Sequence, residues 1–553
     1  MSKNLSSLSS RKGLKENLFE SIVKAKGDPV HLKTIARDYK IGESSVYGPS
    51  TAYDFIQGEN AGKKAYLCNG SSCLCAGTQD NVKNQLKEKF GEDQVGHVTC
   101  LGRCHENAAF QVEGVNYSGK DIESLDSIVD KTHSSQENYI VSCLLEKPLL
   151  TEEIDDDETY YHLLARLADK KSKQEILQSI IESGLRGRGG AGFPTGIKWR
   201  ACAEELSEEK YIVCNADEGD PGAFSDRYLL EERPQSVLFG MWVAGYIAGA
   251  QWGVLYIRDE YPQSVDNIQS AIEKFESLEL NEVLGFEFQF KIIRGAGAYI
   301  CGEETALLRS IEGQRPMVSV RPPFPTVKGL FNKPTILNNV ETFSAIHWIL
   351  ENSAQKFSAL GNGRSTGSKL LSLDSSFNKP GIYEVAMGEK LSTVIDAAGG
   401  FSRPVKALHI GGPLGGLVPA SQFEKLTLDF ESFSENGFLL GHASIVGVPE
   451  TQNIAAYLHH LFDFTAAESC GKCFPCRLGA TRGKEMFRDA INGESKLDKV
   501  LLDDLLETME KGSLCALGGG VPLPVKNALQ YFIDEMADLF EPASLQRIEV
   551  VEA

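Results

Sequence analysis

One glycine-rich stretch sets the fold of the chain: Gly187-Arg188-Gly189-Gly190-Ala191-Gly192-Phe193. Its four glycines disfavour a regular helix or strand, because glycine loses more backbone freedom on ordering than any other residue. They permit positive φ angles and let backbone N–H groups approach a bound molecule. Arg188 and the nearby Lys198 add positive charge, so the pattern favours a phosphate-bearing cofactor. A plain glycine turn is the alternative, since short glycine patterns also occur without ligands.

Length and composition indicate a multidomain globular protein. The 553 residues predict about three or four domains, and 42% hydrophobic with 24% charged residues is typical of globular chains. The net charge of −20 argues against nucleic-acid binding, which needs a basic surface. Residues 1–20 lack the apolar core of a secretory signal, so we expect a cytoplasmic protein. Thirteen cysteines then favour metal or redox ligation over disulfides.

The apolar segment 237–257 is long enough to cross a bilayer. Four glycines and Gln251 interrupt it, and its end changes to a strand-like pattern. We therefore predict a buried helix over about 235–250, a buried strand over 253–257 and no membrane insertion.

Two cysteine pairs follow strand-like segments near the N-terminus: Cys68 with Cys73, and Cys100 with Cys104. The surrounding pattern predicts a small α/β domain whose strand ends bring these pairs together. Thiolates are the ligands of iron–sulfur clusters. A four-cysteine zinc site, which usually has short knuckles, and four buried free cysteines are the alternatives.

Two further strand-like segments, 211–215 and 287–293, run into polar or glycine-rich turns that open helices. Open α/β sheets bind ligands at the carboxyl ends of such strands. The site is not of the Rossmann dinucleotide type, because no G-x-G-x-x-G follows a first strand. Residues 361–369 are similar to a P-loop, but the order Gly-Ser-Lys is wrong for one, so we predict a loop tip.

A third cysteine motif lies near the C-terminus: Cys470, Cys473 and Cys476 at C-x2-C-x2-C spacing, with Cys515 remote. Three evenly spaced ligands and one distant ligand are typical of a [4Fe-4S] cube, whereas zinc favours paired C-x2-C arms. The remaining thiols, Cys75, Cys143, Cys202, Cys214 and Cys301, are predicted to be bystanders or packing residues.

These motifs resemble a known family. The stretches Gly184–Trp199, Cys214–Phe224, Tyr299–Leu307, Arg321–Pro325 and Asn338–Thr342 are similar to the NADH-binding flavoprotein (51-kDa-type) subunit of respiratory complex I. Cys68–Leu74 and Thr99–Cys104 resemble the thioredoxin-like [2Fe-2S] ferredoxin of its 24-kDa-type subunit. Their fusion in one chain fits the diaphorase subunits of NAD-dependent hydrogenases and formate dehydrogenases. The resemblance covers nearly the whole chain.

The resemblance implies an α/β multidomain fold with six parts. They are an N-terminal helical segment (1–60), a thioredoxin-like [2Fe-2S] domain (61–135), a linker (136–160), a Rossmann-like FMN/NAD-binding α/β domain without GxGxxG (161–360), a ubiquitin-like β-grasp domain (361–450) and a helical [4Fe-4S] domain (451–553).

The resemblance also implies the binding residues. FMN is expected on Gly187, Arg188, Gly189, Lys198, Asn215, Asp217, Tyr299, Gly302, Glu303, Asn338 and Asn339. NAD(H) is expected on Phe193, Glu218, Asp220, Glu304, Arg321 and Phe324. Carboxylates beside the adenosine ribose favour NAD over NADP. Asp220 replaces a common Glu and Arg321 a common Lys, and this arginine could tolerate a 2′-phosphate. Because FMN carries the hydride, we expect no catalytic acid or base from the protein. We expect His105, beside Cys104, at the surface, with tuning of that cluster as the alternative.

The implied function is that of a diaphorase subunit in a soluble oxidoreductase complex. It exchanges hydride between NAD(H) and FMN and passes single electrons through one [4Fe-4S] and one [2Fe-2S] cluster. The implied partners are a 24-kDa-type [2Fe-2S] subunit and an iron–sulfur or catalytic subunit of the hydrogenase or formate dehydrogenase type, with ferredoxin a further candidate. The alternatives are an electron-bifurcating subunit, a complex I subunit and a scaffold with structural clusters.

Overall fold

The computed structural model describes residues 13–154, 158–170, 172–278, 281 and 285–546. The described chain begins with three short helices that pack on the central domain. Asn17 caps the first helix and also donates its side-chain N–H to the carbonyl of Ile311 at 2.8 Å. Phe19 and Ile22 are fully buried against the same core as the central strands. These helices are α1 (Leu18–Lys24), α2 (Pro29–Asp38) and α3 (Ser44–Ser50).

The next domain contains a four-stranded sheet in the order β2-β1-β3-β4, with β1 and β2 parallel and the other pairs antiparallel. Because β1 and β2 are parallel, Cys68, the last residue of β1, and Cys100, two residues after β2, lie at the same end of the sheet. The elements are β1 (Ala65–Cys68), α4 (Ser71–Ala76), α5 (Gln79–Phe90), β2 (Val95–Val98), β3 (Phe110–Val112), β4 (Val115–Tyr117) and α6 (Leu125–Val129). The chain then continues into β5 (Ile140–Cys143).

The central domain contains a parallel sheet in the order β8-β7-β6-β9. All its carboxyl ends therefore lie at one edge, where Asn215 pairs in register with Asn339. The elements are α7 (Glu158–Lys170), α8 (Lys173–Glu182), α9 (Thr195–Glu204), β6 (Tyr211–Ala216), α10 (Ser225–Glu232), α11 (Pro234–Ala248), β7 (Trp252–Ile257), α12 (Pro262–Ser277), β8 (Gln289–Arg294), α13 (Glu304–Ile311), α14 (Pro325–Lys328), β9 (Thr335–Asn339), α15 (Val340–Asn352) and α16 (Ala354–Ala359).

The apolar segment 237–257 forms the buried helix α11 and the buried strand β7, as predicted. Its glycines serve close packing: a Cβ on Gly240 would lie 2.1 Å from the carbonyl oxygen of Phe343, and one on Gly245 would lie 2.3 Å from the ring of Phe288. Among the described helices, α11 included, no stretch has the length and hydropathy that a bilayer span requires.

A mixed six-stranded sheet, in the order β15-β14-β16-β12-β13-β5, follows in the predicted β-grasp region. A separate two-stranded ribbon joins β10 and β11. The elements are β10 (Gly361–Asn362), β11 (Ser365–Thr366), β12 (Ser368–Leu373), β13 (Gly381–Ala386), α17 (Leu391–Ala397), β14 (Val405–Ile410), β15 (Gly416–Pro419), α18 (Phe430–Glu435) and β16 (Ser444–Pro449).

The segment 136–160 differs from the predicted linker. Its residues 140–143 form β5, which pairs in parallel with β13. The carboxylate of Glu384 then accepts the backbone N–H groups of Leu149, Leu150 and Thr151 at 2.9 to 3.2 Å. A strand whose partner lies much later in the chain leaves no local signal, so the polar and acidic composition gave no indication of β5.

The C-terminal region is helical and carries the third cysteine motif. Cys473 directly precedes α20, and Cys515 directly precedes α22. A Cβ on Gly483 would lie 2.3 Å from the ring of Phe462, so this glycine lets α19 and α20 pack closely. The helices are α19 (Ile454–Ala467), α20 (Phe474–Ile491), α21 (Lys499–Gly512), α22 (Ala516–Gly520), α23 (Pro522–Tyr531), α24 (Ile533–Met536) and α25 (Pro542–Gln546).

Candidate functional site

The glycine-rich loop lies over the carboxyl edge of the central sheet. It is closed by a hydrogen bond from the N–H of Gly187 to the carbonyl of Phe193 at 2.9 Å. Gly190 and Gly192 have φ angles of +117° and +60°, which side chains rarely adopt. A Cβ on Gly189 would lie 3.0 Å from Cβ of Asn339, at the end of β9. The loop backbone therefore approaches the strand ends closely.

Other predicted FMN residues meet the loop at the same edge. Asn215 donates its side-chain N–H to the carbonyl of Gly302 at 2.8 Å. Lys198 donates to the carbonyl of Leu337 at 3.0 Å, and Trp199 donates to the side chain of Asn338 at 2.9 Å. Strands β6 and β9 are thus connected to the first turns of α9 and to the turn before α13.

These residues fit a flavin mononucleotide. The loop offers backbone N–H groups without side-chain bulk, and Lys198 adds a cation, which suits a phosphate. Asp217 offers an acceptor: its Oδ2 is shielded from solvent and has no hydrogen-bond partner in the described part of the chain. Burial raises the pKa of Asp217 well above its usual value. A ribityl hydroxyl is the kind of donor that such an oxygen needs.

The four N-terminal cysteines converge in a buried site. Sγ of Cys100 and Sγ of Cys104 lie 3.5 Å apart, and hydrogen bonding to Cys73 lowers the pKa of Cys68 to about 7. Backbone N–H groups point at the sulfurs: that of Gly102 lies 3.4 Å from Cys100 Sγ. Buried thiolates that receive N–H donors fit a [2Fe-2S] cluster.

This cluster site contacts the central domain directly. The N–H of Gly222, in the loop after β6, donates to Sγ of Cys104 at 3.2 Å. A Cβ on Gly70 would lie 3.2 Å from Cβ of Pro221 in the same loop. The loop 217–224 therefore has Asp217 at the cofactor edge and Gly222 on a cluster ligand.

The C-terminal cysteines also form one site. The thiols of Cys470 and Cys473 act electrostatically on Cys476, and that of Cys476 acts on Cys515. The hydroxyl of Ser469 lies 3.3 Å from Cys476 Sγ. A Cβ on Gly518 would lie 2.5 Å from Cβ of Cys476, so only glycine lets the remote arm approach. The four ligands fit the predicted [4Fe-4S] cube.

Comparisons with known proteins agree with this geometry. The Nuo51 FMN-binding domain matches residues 180–348, the NADH-ubiquinone oxidoreductase-F iron-sulfur binding region matches residues 456–539, and the thioredoxin-like [2Fe-2S] ferredoxin matches residues 28–133. The NADP-reducing hydrogenase subunit HndC of Solidesulfovibrio fructosivorans is 40% identical over 369 residues, which are 65% of this chain and 75% of that protein. An F-type subunit (F 2) of the NADH-quinone oxidoreductase of Rhizobium meliloti (strain 1021) is 38% identical over 380 residues, 67% of this chain and 90% of the relative.

The chain belongs to the family of NADH-quinone oxidoreductase F-type flavoprotein subunits.

A solved structure of an NAD+-reducing [NiFe]-hydrogenase in the H2-reduced state extends the likeness to the fused N-terminal domain. It has a TM-score of 0.85 and 29% identity, and the match covers 95% of this chain and 92% of that one. This F-type chain is therefore an NADH dehydrogenase-type oxidoreductase with FMN, NAD(H), one [4Fe-4S] and one [2Fe-2S] cluster as cofactors. The relatives named above are subunits of multi-subunit hydrogenase or quinone oxidoreductase assemblies.

The predicted NAD residues of this F-type chain differ in their exposure and in their contacts. Phe193 and Phe324 are half exposed, so their rings are free to stack on a ligand. Glu304 and Arg321 form an ion pair near the surface. Asp220 accepts a hydrogen bond from the hydroxyl of Tyr299 at 2.6 Å. These side chains remain candidates for NAD(H) contact.

Glu218 has a different role in the structure. It is buried, and its carboxylate accepts the N–H groups of Asp226 and Arg227 at 2.9 and 3.0 Å. It therefore caps the start of α10 rather than facing solvent. The sequence offered no signal for this, because an acidic residue after a strand is typical of both roles.

Two predicted FMN residues make structural contacts beside the candidate site. The guanidinium of Arg188 is buried and donates to the carbonyl of Thr366, which anchors the glycine loop to β11. Burial lowers the pKa of Arg188 to about 10. Glu303 caps α13 by accepting the N–H groups of Thr305 and Ala306, both at 2.9 Å.

Sequence reasoning missed two buried histidines. His442 lies 3.4 Å from Asp226 and 3.5 Å from Glu218. Burial opposes its charge, but the two carboxylates outweigh burial and raise the pKa of His442 to about 9. His105, expected at the surface, is instead buried against the rings of Tyr139 and Phe224. The prediction failed because nothing local marks which polar residue a neighbouring domain covers.

Proposed function

We propose that the chain is the diaphorase subunit of a hydrogenase-type complex. It exchanges hydride between NAD(H) and FMN and passes single electrons between its clusters and a catalytic partner. One observation supports this most: hydrogen bonds join the segments that carry predicted flavin residues to the segments that carry both sets of cluster cysteines. Gly222 donates to Cys104 at 3.2 Å, and Tyr299 donates its backbone N–H to Glu468, two residues before Cys470, at 3.0 Å.

The cofactor and the protein divide the chemistry. Bound FMN exchanges two electrons with a nicotinamide and single electrons with iron–sulfur clusters. The glycine loop and Lys198 would bind its phosphate-bearing part, and Asp217 would accept a hydrogen bond from it. Phe193 and Phe324 would hold the nicotinamide or adenine by stacking. No protein acid or base is required for hydride transfer itself.

The nucleotide preference follows from the pair Glu304–Arg321. Because Glu304 occupies the guanidinium of Arg321, that cation is not free to receive a 2′-phosphate. The carboxylate would also repel the phosphate directly. We therefore propose NAD(H) as the physiological nucleotide.

Electrons leave or enter through the C-terminal helices. Apolar side chains flank the cluster ligands there: Phe474, 68% exposed, follows Cys473, and Leu514 precedes Cys515. Leu478 is exposed one turn further along α20. We propose that this surface docks the iron–sulfur subunit of a hydrogenase-type partner. The chain carries its own thioredoxin-like [2Fe-2S] domain, so no separate 24-kDa-type subunit is proposed. A formate dehydrogenase-type or quinone oxidoreductase partner is the alternative.

NADH-driven dye reduction tests the proposed function. The purified chain, reconstituted anaerobically with FMN, iron and sulfide, should reduce a one-electron dye with NADH. The variant Lys198→Met should lose FMN affinity by at least about tenfold, because a charge-assisted contact contributes about 1.5–3 kcal/mol. The variant Lys333→Met, whose exposed lysine pairs with Glu209 at the opposite strand end, is the matched control. A fully loaded chain that reduces no dye contradicts the proposal.

A further inference from the structure

A small cavity connects the cofactor edge with the N-terminal part of the chain. Its volume is about 20 Å³, and four carboxyl side chains from separate segments line it: Asp54, Asp217, Glu260 and Glu468. Glu468 accepts the backbone N–H of Tyr299 at 3.0 Å. One water molecule needs roughly 10–15 Å³ of such volume and two to four polar partners, so this cavity suits a water. Thr99 and Tyr299 contribute to its walls.

Two of these carboxyls have a buried oxygen without a hydrogen-bond partner among the described residues. Glu260 is 5% exposed, and its Oε1 accepts a hydrogen bond from Arg258 at 2.8 Å. Within the described ranges, its Oε2 has no hydrogen-bond partner, and neither has Oδ2 of Asp217. A buried oxygen without a donor costs about 1–3 kcal/mol, so both oxygens call for a proton-bearing neighbour.

A third carboxyl reaches the surface. Asp54 lines the cavity and is also exposed to solvent, and its N–H donates to the carbonyl of Gly297 at 2.9 Å. Asp54 is electrostatically coupled to Glu260, and Glu260 to Asp217. Asp54, Glu260 and Asp217 therefore line one small cavity that connects an exposed carboxyl with a predicted flavin residue.

The proposed function requires a path for a proton. Oxidation of NADH balances as NADH → NAD+ + H+ + 2 e−. The electrons leave through the clusters, but iron–sulfur clusters on thiolates do not carry the proton away. We propose that Asp217, Glu260 and Asp54, with one water in the cavity, form a proton relay between the flavin site and solvent. The relay rests on the proposed function, and it carries protons from solvent to the flavin site when NAD+ is reduced.

The surroundings suit carboxyls that hold and release protons. Burial raises the pKa of Asp217 and of Asp54, while Arg258 beside Glu260 offsets one negative charge. The charged and titratable groups that interact electrostatically with the three carboxyls come from several elements. They are Tyr53, Tyr66, His97, Asp220, Tyr256, Arg258, Asp259, Cys301 and Glu468.

The relay is tested by timing proton release against electron transfer. The reconstituted full chain is mixed with NADH and a one-electron dye in weakly buffered solution containing a pH indicator, in H2O and in D2O. Glu260→Gln, which keeps the shape and the contact to Arg258, should slow proton release by roughly 10²-fold, the lower range for a positioned acid–base group. Its solvent isotope effect should rise. Asp54→Asn should act in the same direction. Glu59→Gln, an exposed carboxyl nearby that does not line the cavity, should match the parent.

The outcomes separate the relay from the proposed function. Bleaching of the flavin by NADH in a single turnover reports on the proposed function alone, and its absence in the parent chain removes that function. If the flavin bleaches but both variants release protons at the parent rate with the parent isotope effect, the relay is overturned. If Glu260→Gln does not fold, the exposed Asp54→Asn decides alone, and parent-like proton release then overturns the relay.

Discussion

Gly222→Ala should change the potential of one cluster and not of the other. Gly222 has a φ of +97°, and a Cβ there would lie 2.5 Å from Cγ2 of Val446, closer than side chains tolerate. The loop must therefore move by about half an ångström or more. The N–H of Gly222 donates to Cys104 Sγ at 3.2 Å, and among the described residues it is the only donor from this loop to that sulfur. The movement therefore weakens this hydrogen bond. The [4Fe-4S] ligands do not touch Gly222.

The size of the shift follows from the lost hydrogen bond. A hydrogen bond to a charged acceptor contributes about 1.5–3 kcal/mol. Because the reduced cluster is more negative than the oxidised one, we expect the bond to stabilise the reduced form by about 1 kcal/mol more than the oxidised form. Since 1.4 kcal/mol corresponds to about 59 mV for one electron, the [2Fe-2S] potential should fall by roughly 40 mV. Potentiometric titration followed by EPR measures both clusters in one sample.

A matched variant controls for backbone strain. Gly249 has a similar φ of +72°, but a Cβ there would meet nothing within 4 Å. Gly249→Ala should therefore cost comparable backbone strain and leave both potentials unchanged. The reasoning is refuted if Gly222→Ala leaves the [2Fe-2S] potential at the parent value, or if both clusters shift equally.

Three further predictions concern charge. Glu304→Gln should raise kcat/KM for NADPH by about tenfold, since freeing Arg321 and removing a repulsive charge together yield about 1.4 kcal/mol. Steady-state kinetics with NADH and NADPH measure this change, and an unchanged kcat/KM for NADPH contradicts it. Lys369→Met should lower the free energy of unfolding by about 3–5 kcal/mol, because it leaves Glu341 buried and unpaired, and adding Glu341→Gln should restore most of it in denaturant titrations. The pKa of His442 is raised in the folded state, so its contribution to the free energy of unfolding should be complete below about pH 6.5 and be lost as pH rises through about 9. His442→Gln should therefore flatten the plot of unfolding free energy against pH in that window. A plot parallel to that of the parent contradicts this expectation.

Local patterns predicted the cofactor-bearing parts of the fold well. The four cysteines of each cluster converge because their spacing places them at strand ends or helix starts, and both features are readable in short windows. Helix α11 and strand β7 were separable because Gly249 and Gly253 interrupt an otherwise continuous apolar run. The family matches confirm the three cofactor domains. The domain boundaries and the cytoplasmic location stay predictions.

Long-range contacts account for most of what the sequence did not reveal. Strand β5 pairs with β13, Glu218 caps α10, and His442 reaches Asp226 from a distant loop. The Glu218 cap is local, and it was missed because an acidic residue after a strand is typical of more than one role. Strand β5 and His442 have partners that lie far away in the sequence, so neither spacing nor periodicity records these contacts. The same applies to Arg188, whose charge was visible but whose anchoring contact with Thr366 was not.

Low-temperature EPR of the anaerobically purified chain, before and after NADH, tests the central claim most directly, together with flavin and metal analysis. We expect one FMN and about six iron atoms per chain, with two distinct reduced-cluster signals that NADH alone produces. Zinc in place of iron, or iron clusters that NADH reduces equally well after the flavin is removed, would contradict it.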